Sequence, residues 1–263
     1  MAKRMRFWNG EKFQKYIREG RGQGEGSDYI PWLSIHDFSS RGIVSRVFGL
    51  KTKRIHHFLS RNELYFFYLL EWSDSVLDIR EQYPLMDVEL AIDIAAGADI
   101  QYPKDNISGF PYVLTCDFMI TTPQGLKART IKCSSELSNR RTIEKLEIER
   151  HYWEKVGINW ALVTEREIPT EAAKNIEWLH ASAIPSEDLQ NPMIQQEFLR
   201  QASRNIPVPQ IAANIDKGFG LPAGSGFRIF RYLLWTKQLQ GGIETDYCLS
   251  AGNLSVMKMA VGM

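Results

Sequence analysis

Several absences narrow the field before any motif is read. No run of about 18 apolar residues occurs in the 263-residue chain, so no segment of it reads as a membrane-spanning helix. Cysteine is scarce: Cys116, Cys133 and Cys248 are odd in number and far apart, unlike a disulfide framework or a thiolate zinc site. The expectation is a reducing interior and hence a cytoplasmic setting. The opening MAKRMRFWNGEKFQKYIREG carries charge but no apolar core, unlike a secretory signal, and its acidic residues and lack of serine set it apart from a transit peptide. No internal repeat or low-complexity tract is visible, and net charge is only +1.

What charge there is lies unevenly. Residues 1–60 hold 12 Lys/Arg against 5 Asp/Glu, a local balance of +7 beside −6 over the remainder. A basic segment joined to an acidic remainder suits a polyanion partner and a metal-binding centre, or simply a solvated positive face.

The pattern along the chain predicts a mixed α/β region followed by a helical one. Residues 5–19 read as a short amphipathic helix ending at Gly20. The stretch with Gly20, Gly22, Gly24 and Gly26 has neither a preceding strand nor a closing Lys-Ser/Thr pair, so it reads as a flexible loop rather than a phosphate cradle. Its amides and Arg21 remain available for a nucleic-acid backbone. Residues 41–59 look like a hairpin with basic flanks (Lys51, Lys53, Arg54); the adjacent His56 and His57 diverge in any regular element, which argues against a metal pair. Ser60 followed by Glu63 reads as a capping box opening an apolar helix. Then come a strand at 75–85, a longer irregular stretch with Gly97, Pro103 and Gly109, a strand at 112–122, its hairpin partner, a charged helix at 140–157 and an apolar strand at 158–165. Beyond Ile168-Pro169 the pattern changes to helices, closing with a short strand-like piece at 241–250. The predicted domains are therefore 1–168 and 169–263. The second holds 8 basic and 8 acidic residues and has no strong electrostatic footprint.

The hairpin of residues 116–133, CDFMITTPQGLKARTIKC, carries the chemistry. A two-residue turn at Pro123-Gln124 pairs residues whose numbers sum to 247, setting Asp117 opposite Thr130 with Lys132 one step along the same face. A type I turn with a bulge would slip that register by one. In the predicted register an acid, a hydroxyl and an ammonium converge. This is the layout of restriction-endonuclease-like nucleases, whose core order of helix, three strands, helix, strand matches the predicted one. Phosphodiester hydrolysis needs carboxylates to hold Mg²⁺, a hard ion that prefers oxygen ligands, and a Lys to orient or deprotonate water and offset phosphate charge. The first core helix of that superfamily supplies another acid, here Glu63, for which the helix cap is the competing role.

With these residues assembled, the sequence resembles the TnsA endonuclease family of heteromeric bacterial transposons. The resemblance rests on REGRGQGEGSDYIPWL, KTKRIHHFLS, NELYFFYLLEWSDSVLDIREQYPL, TCDF, RTIEKLEIERHYW and NIEWL, and spans about residues 15 to 180. It implies a restriction-endonuclease-like core (αβββαβ, mixed sheet) and a mostly helical, winged-helix-like C-terminal domain. It implies 5′-strand cleavage at transposon ends, alongside a TnsB-type DDE transposase and a TnsC-type ATPase that docks on the C-terminal region. The assembled complex would be nucleoid-associated. Motif matching assigns catalysis to Glu63, Asp117 and Lys132. The metal ligands it implies are Glu63, Asp117, Thr130 and the carbonyl of Ile131, for an expected two Mg²⁺ ions with Mn²⁺ as substitute. Glu149 matches an acidic position on the second core helix, although Lys145 four residues earlier equally suits a solvated face. From the basic N-terminal segment, the expected DNA contacts are Arg21, Lys51, Lys53 and Arg54. The departure is Thr130, where the superfamily places an acid. That departure supports an alternative, a catalytically weak DNA-binding scaffold that recruits the ATPase.

Overall fold

The computed structural model describes residues 7–37, 44–184, 186–204, 206–241, 243 and 260–261. The chain divides into two compact units, one of residues 1–64 and 73–168, the other of Tyr65–Trp72 and Pro169–Met263.

In the first unit, α1 (Gly10–Arg18) opens with Asn9, whose side chain accepts the Lys12 N–H at 2.9 Å, satisfying one of the orphan donors of the first turn. The glycine-rich stretch that follows is a folded turn rather than the flexible loop expected. Its amides are used internally: Gly22 N–H donates to Ile30 O at 2.6 Å and Gly26 N–H to Asp78 Oδ1 at 3.2 Å. Gly22 sits at φ +76, and a Cβ there would come within 2.4 Å of Pro84; only glycine allows that approach. Next comes the hairpin of β1 (Ser45–Phe48) and β2 (Ile55–Phe58), paired Phe48 to Ile55. Helix α2 (Arg61–Trp72) gives its first turn to this unit and Tyr65–Trp72 to the other.

The central sheet is built from β3 (Asp78–Pro84), β4 (Thr115–Thr122), β5 (Gly125–Ile131) and β6 (Asn159–Val163), in that order. The first two pairings are antiparallel and β5–β6 is parallel, which requires a crossover. Helix α4 (Arg140–Val156) supplies it, capped by Asn139 and ended by Gly157 at φ +78. The β4–β5 register is the predicted one, Phe118 to Arg129 and Thr122 to Gly125. One element departs from expectation: Val88–Gly97, inside the stretch read as irregular, is helix α3, capped by Asp87. Its Ala91 and Ala95 meet Ile148 and Tyr152 of α4 and Met119 and Ala128 of the sheet in one apolar cluster. Small residues let the two helices approach closely there. Phe118 faces the other side of the sheet, where it meets Phe58 of β2 with ring centres 6.0 Å apart.

The second unit holds α5 (Thr170–His180), α6 (Glu187–Gln190), α7 (Pro192–Ala202), α8 (Val208–Gly218) and α9 (Ser225–Trp235). In the region expected to be helical, residues 187–202 form two helices because Pro192 starts a new one, with Asn191 as its cap. Phe198, Ile211, Ile215, Ile229 and Phe230 form its buried interior. Gly226 lies so close to α8 that a Cβ would sit 2.4 Å from Ala212 O. A two-residue strand β7 (Leu239–Gln240) pairs antiparallel with β8 (Ala260–Val261). Cys248 and nearly all of the strand-like piece predicted at 241–250 lie outside the described residues.

Candidate active site

Three elements of the first unit bring their ends together on the α4 side of the sheet. Strand alternation puts Asp117 of β4 and Thr130 of β5 on the face that α4 covers, the start of α2 presents Glu63, and Lys132 follows β5. Together with Glu149 and Gln82 they line a cleft of about 630 Å³ whose other wall includes Trp8, Trp32 and Tyr112.

Glu63 serves both as a cap and as a site acid. Its N–H donates to the Ser60 hydroxyl at 3.2 Å, as an N-cap requires. Its carboxylate accepts the N–H of Leu59 at 3.0 Å rather than that of Ser60, which leaves it facing the hairpin. Asp117 accepts the Ile131 N–H at 2.6 Å and lies 3.5 Å from the Lys132 ammonium. That ammonium also donates to the Ile131 carbonyl at 3.0 Å. The two acids share a third neighbour, Gln82, whose side-chain amide lies 3.3 Å from Asp117 Oδ1 and 3.5 Å from Glu63 Oε2.

Electrostatics follows from this geometry. Burial first, and the nearby Asp117 charge second, raise the Glu63 carboxyl to about 7. Asp117 in turn raises the Lys132 ammonium above its ordinary value. A lysine shifted this way stays charged at neutral pH, so it is suited to hold a phosphate oxygen or a water rather than to take a proton.

Glu149 is not on a solvated helix face. It lies on the buried stripe of α4, accepting hydrogen bonds from the Thr130 hydroxyl and, at 3.0 Å, from the Trp160 indole N–H. Burial raises it to about 7 as well. Thr130 therefore turns its hydroxyl to Glu149, not to the Glu63–Asp117 pair, and an acid reaches this corner from α4 instead of from β5.

Two of the expected DNA contacts are used inside the protein. Arg54 forks onto Glu81 at 2.8 and 2.5 Å and also bonds the Ile79 carbonyl, while His56 Nδ1 lies 2.7 Å from the same acid. Burial alone would raise Glu81; His56 and Arg54 bring it down to about 2. Arg21 bonds Asp37 at 2.7 Å and stacks on Tyr16 with 3.6 Å from guanidinium to ring centre. Both guanidiniums are committed to fixing loops; of the two lysines in the β1–β2 turn, Lys53 is exposed and Lys51 half-buried.

Gln82, Trp160 and Thr115 take part in this site without standing out in the sequence. Gln82 is one of three consecutive polar residues in the strand-like IREQYPL, but the register that brings it to Asp117 comes from strand pairing that the sequence does not show.

Comparison with known proteins agrees with the geometry. The profile described as TnsA-like endonuclease N terminal matches residues 73–165, and that described as TnsA endonuclease C terminal matches residues 167–241. The Transposon Tn7 transposition protein TnsA of Escherichia coli is 39% identical over 240 residues, covering 89% of this chain and 86% of that protein. A cleft with paired acids and a lysine, inside a chain matched this broadly, places the protein in the TnsA endonuclease family.

Proposed function

We propose that this chain cuts the 5′ strands at the ends of a transposon by metal-dependent phosphodiester hydrolysis. It would act with a DDE transposase that handles the 3′ strands and an ATPase regulator that docks on the C-terminal unit. The observation that supports it best is the pair Glu63–Asp117, two buried acids close enough for one to raise the other, with the Lys132 ammonium beside them.

The donor set fits Mg²⁺, with Mn²⁺ as substitute. Among the described residues no three or more His, Cys, Asp or Glu side chains cluster as a metal cage. Mg²⁺ does not need one, since it keeps several waters and takes one or two carboxylates plus substrate phosphate. Two acids that repel one another in a cleft, with the Ile131 carbonyl next to them, form such a half-site. When bound, the ion neutralises charge on the phosphate and makes a coordinated water more acidic. Glu63 and Asp117 would hold it, with the Ile131 carbonyl as a candidate third donor. Lys132, kept charged, then offsets charge growing on the scissile group. A second ion would draw on Glu149, which lines the same cleft.

The scaffold alternative rests on the missing acid at position 130, and Glu149 reaching Thr130 weakens it. Lys51 and Lys53 are the residues we assign to the DNA backbone. Among the described residues no helix is long and apolar enough to cross a membrane, which accords with a cytoplasmic, nucleoid-associated role. The test is Asp117→Ala in a reaction reconstituted with transposase, ATPase and transposon-end DNA. The 5′ nicks should disappear while 3′ cleavage continues, and 5′ nicking at the wild-type rate would remove Asp117 from the chemistry.

A further inference from the structure

Four non-glycine residues among those described adopt a left-handed backbone: Lys53, Gln82, Asp99 and Lys237. Only Gln82 is buried, at 2% exposure, and only Gln82 lies inside a strand of the central sheet. The pairing on either side, Glu81 to Phe118 and Tyr83 to Cys116, keeps one register, so no residue has been inserted and the conformation is not that of a bulge. At φ +49 its carbonyl turns out of the ladder and accepts the Trp32 N–H at 3.3 Å. Glycine or asparagine would adopt this backbone at less cost. A buried glutamine held there points to work done by its side chain.

The side-chain amide is itself held. Its oxygen accepts the Thr115 hydroxyl at 3.2 Å, which turns the nitrogen toward Asp117 and Glu63. The one amide nitrogen lies within hydrogen-bond reach of both carboxylates. A lysine or arginine in this place would orient the acids too, but its charge would compete with a cation. A neutral amide orients both acids and leaves their negative charge in place.

We propose that Gln82 is a positioning residue that presets Glu63 and Asp117 as a pair of cation ligands, through a side chain aimed by the left-handed turn in β3 and locked by Thr115. This rests on reading those two acids as metal ligands. Ligating carboxylates are commonly held by such outer partners, whose loss weakens metal affinity about 10–100-fold.

The experiment measures Mn²⁺ binding to the full chain by electron paramagnetic resonance, without DNA, for wild type, Gln82→Met and Gln82→Gly. Methionine keeps length and removes the amide; glycine also relieves the backbone. Both variants should bind Mn²⁺ about 10–100-fold more weakly. Gln82→Gly should remain folded at the temperature of the binding measurement, read from its unfolding curve, so that weaker Mn²⁺ binding reports the missing side chain and not unfolding. A folded variant with unchanged or tighter Mn²⁺ binding overturns the proposal, tighter binding meaning that the amide competes with the ion. If Gln82→Met does not fold, Gln82→Gly decides alone. Should wild type itself bind no Mn²⁺, the metal-site reading fails first, and this inference with it.

Discussion

A carboxyl group kept from water holds its proton to higher pH, and Glu63 and Glu149 do so to about 7 from an ordinary 4.5. The consequence for stability has a definite sign. Between about pH 4.5 and 7 the folded protein binds protons that the unfolded chain has already released, so stability falls as pH rises through that window. Raising a pKa by one costs about 1.36 kcal/mol once the group must ionise, so either acid alone destabilises the metal-free protein by on the order of 3 kcal/mol at pH 7.5. Calorimetric melting at pH 5 and pH 7.5 should show the decline, and Glu149→Gln should make it clearly shallower; an equally steep decline in that variant would mean Glu149 is not the buried acid described. At the neighbouring position, Thr130→Val takes away the hydroxyl that donates to Glu149. Loss of a buried carboxylate's partner costs about 1–3 kcal/mol, read as a drop in urea midpoint. Thr130→Glu, which restores the superfamily's acid, should also lower the midpoint, because it sets a second carboxylate against a buried one.

Beside the Phe58–Phe118 contact, the β1–β2 hairpin is tied to the sheet by a polar cluster, Arg54 and His56 around the fully buried Glu81. Breaking a buried pair from one side leaves a charge without its partner, so Arg54→Ala should cost about 3–5 kcal/mol. Lys53→Ala should leave stability within about 0.5 kcal/mol and instead reduce the slope of log affinity for DNA against log salt by about 0.9. Filter binding across a salt series, with unfolding curves beside it, separates the two; a Lys53 variant with an unaltered slope would remove this hairpin tip from the DNA path. Before folding, the two cations look alike, since both are basic residues in a hairpin turn. What distinguishes them is Glu81, 27 residues from Arg54, and no local pattern encodes that pairing. The β4–β5 register was legible for the opposite reason: Pro123 and Gly125 fix the turn, and alternation then dictates which side chains share a face. Helix α3 was hard to read because VELAIDIAAG shows only Glu89 and Asp93, four residues apart, as a polar stripe among β-branched residues and alanine, and its apolar stripe is completed by packing against α4. Glu149 was legible as an acid on a helix but not as a buried one, because its partners Thr130 and Trp160 come from β5 and β6.

At the scale of the whole molecule, the division of the chain decides how it can be cut. Sequence composition sets a break at Ile168-Pro169, and truncation there reads as a way to isolate a nuclease. Yet Tyr65–Trp72, the C-terminal part of α2, belongs to the second unit. Within that unit Phe67 and Tyr68 pack their rings on His180, Glu71 lies 3.7 Å from its imidazole, and Trp72 meets Trp235 edge-on at 5.4 Å. Lys237 adds a hydrogen bond to the Trp72 carbonyl at 3.1 Å. Removing residues 169–263 therefore strips the partners of an apolar helical turn while leaving the turn itself on the chain. Burying one such aromatic or aliphatic side chain contributes about 1.5–3 kcal/mol, and several are uncovered together, among them Phe67 at 0% exposure and Leu70 at 8%. A fragment of residues 1–168 should consequently aggregate, or melt well below the full chain, before any question of activity arises. Replacing Phe67 and Leu70 by polar residues in that fragment should recover soluble, folded protein, because neither side chain belongs to the unit that carries Glu63 and Asp117. Size-exclusion chromatography of both fragments checks this. If the unmodified fragment runs as a stable monomer and binds Mn²⁺ as the full chain does, the second half of α2 is not the dependent element described, and the chain can be divided where its composition changes.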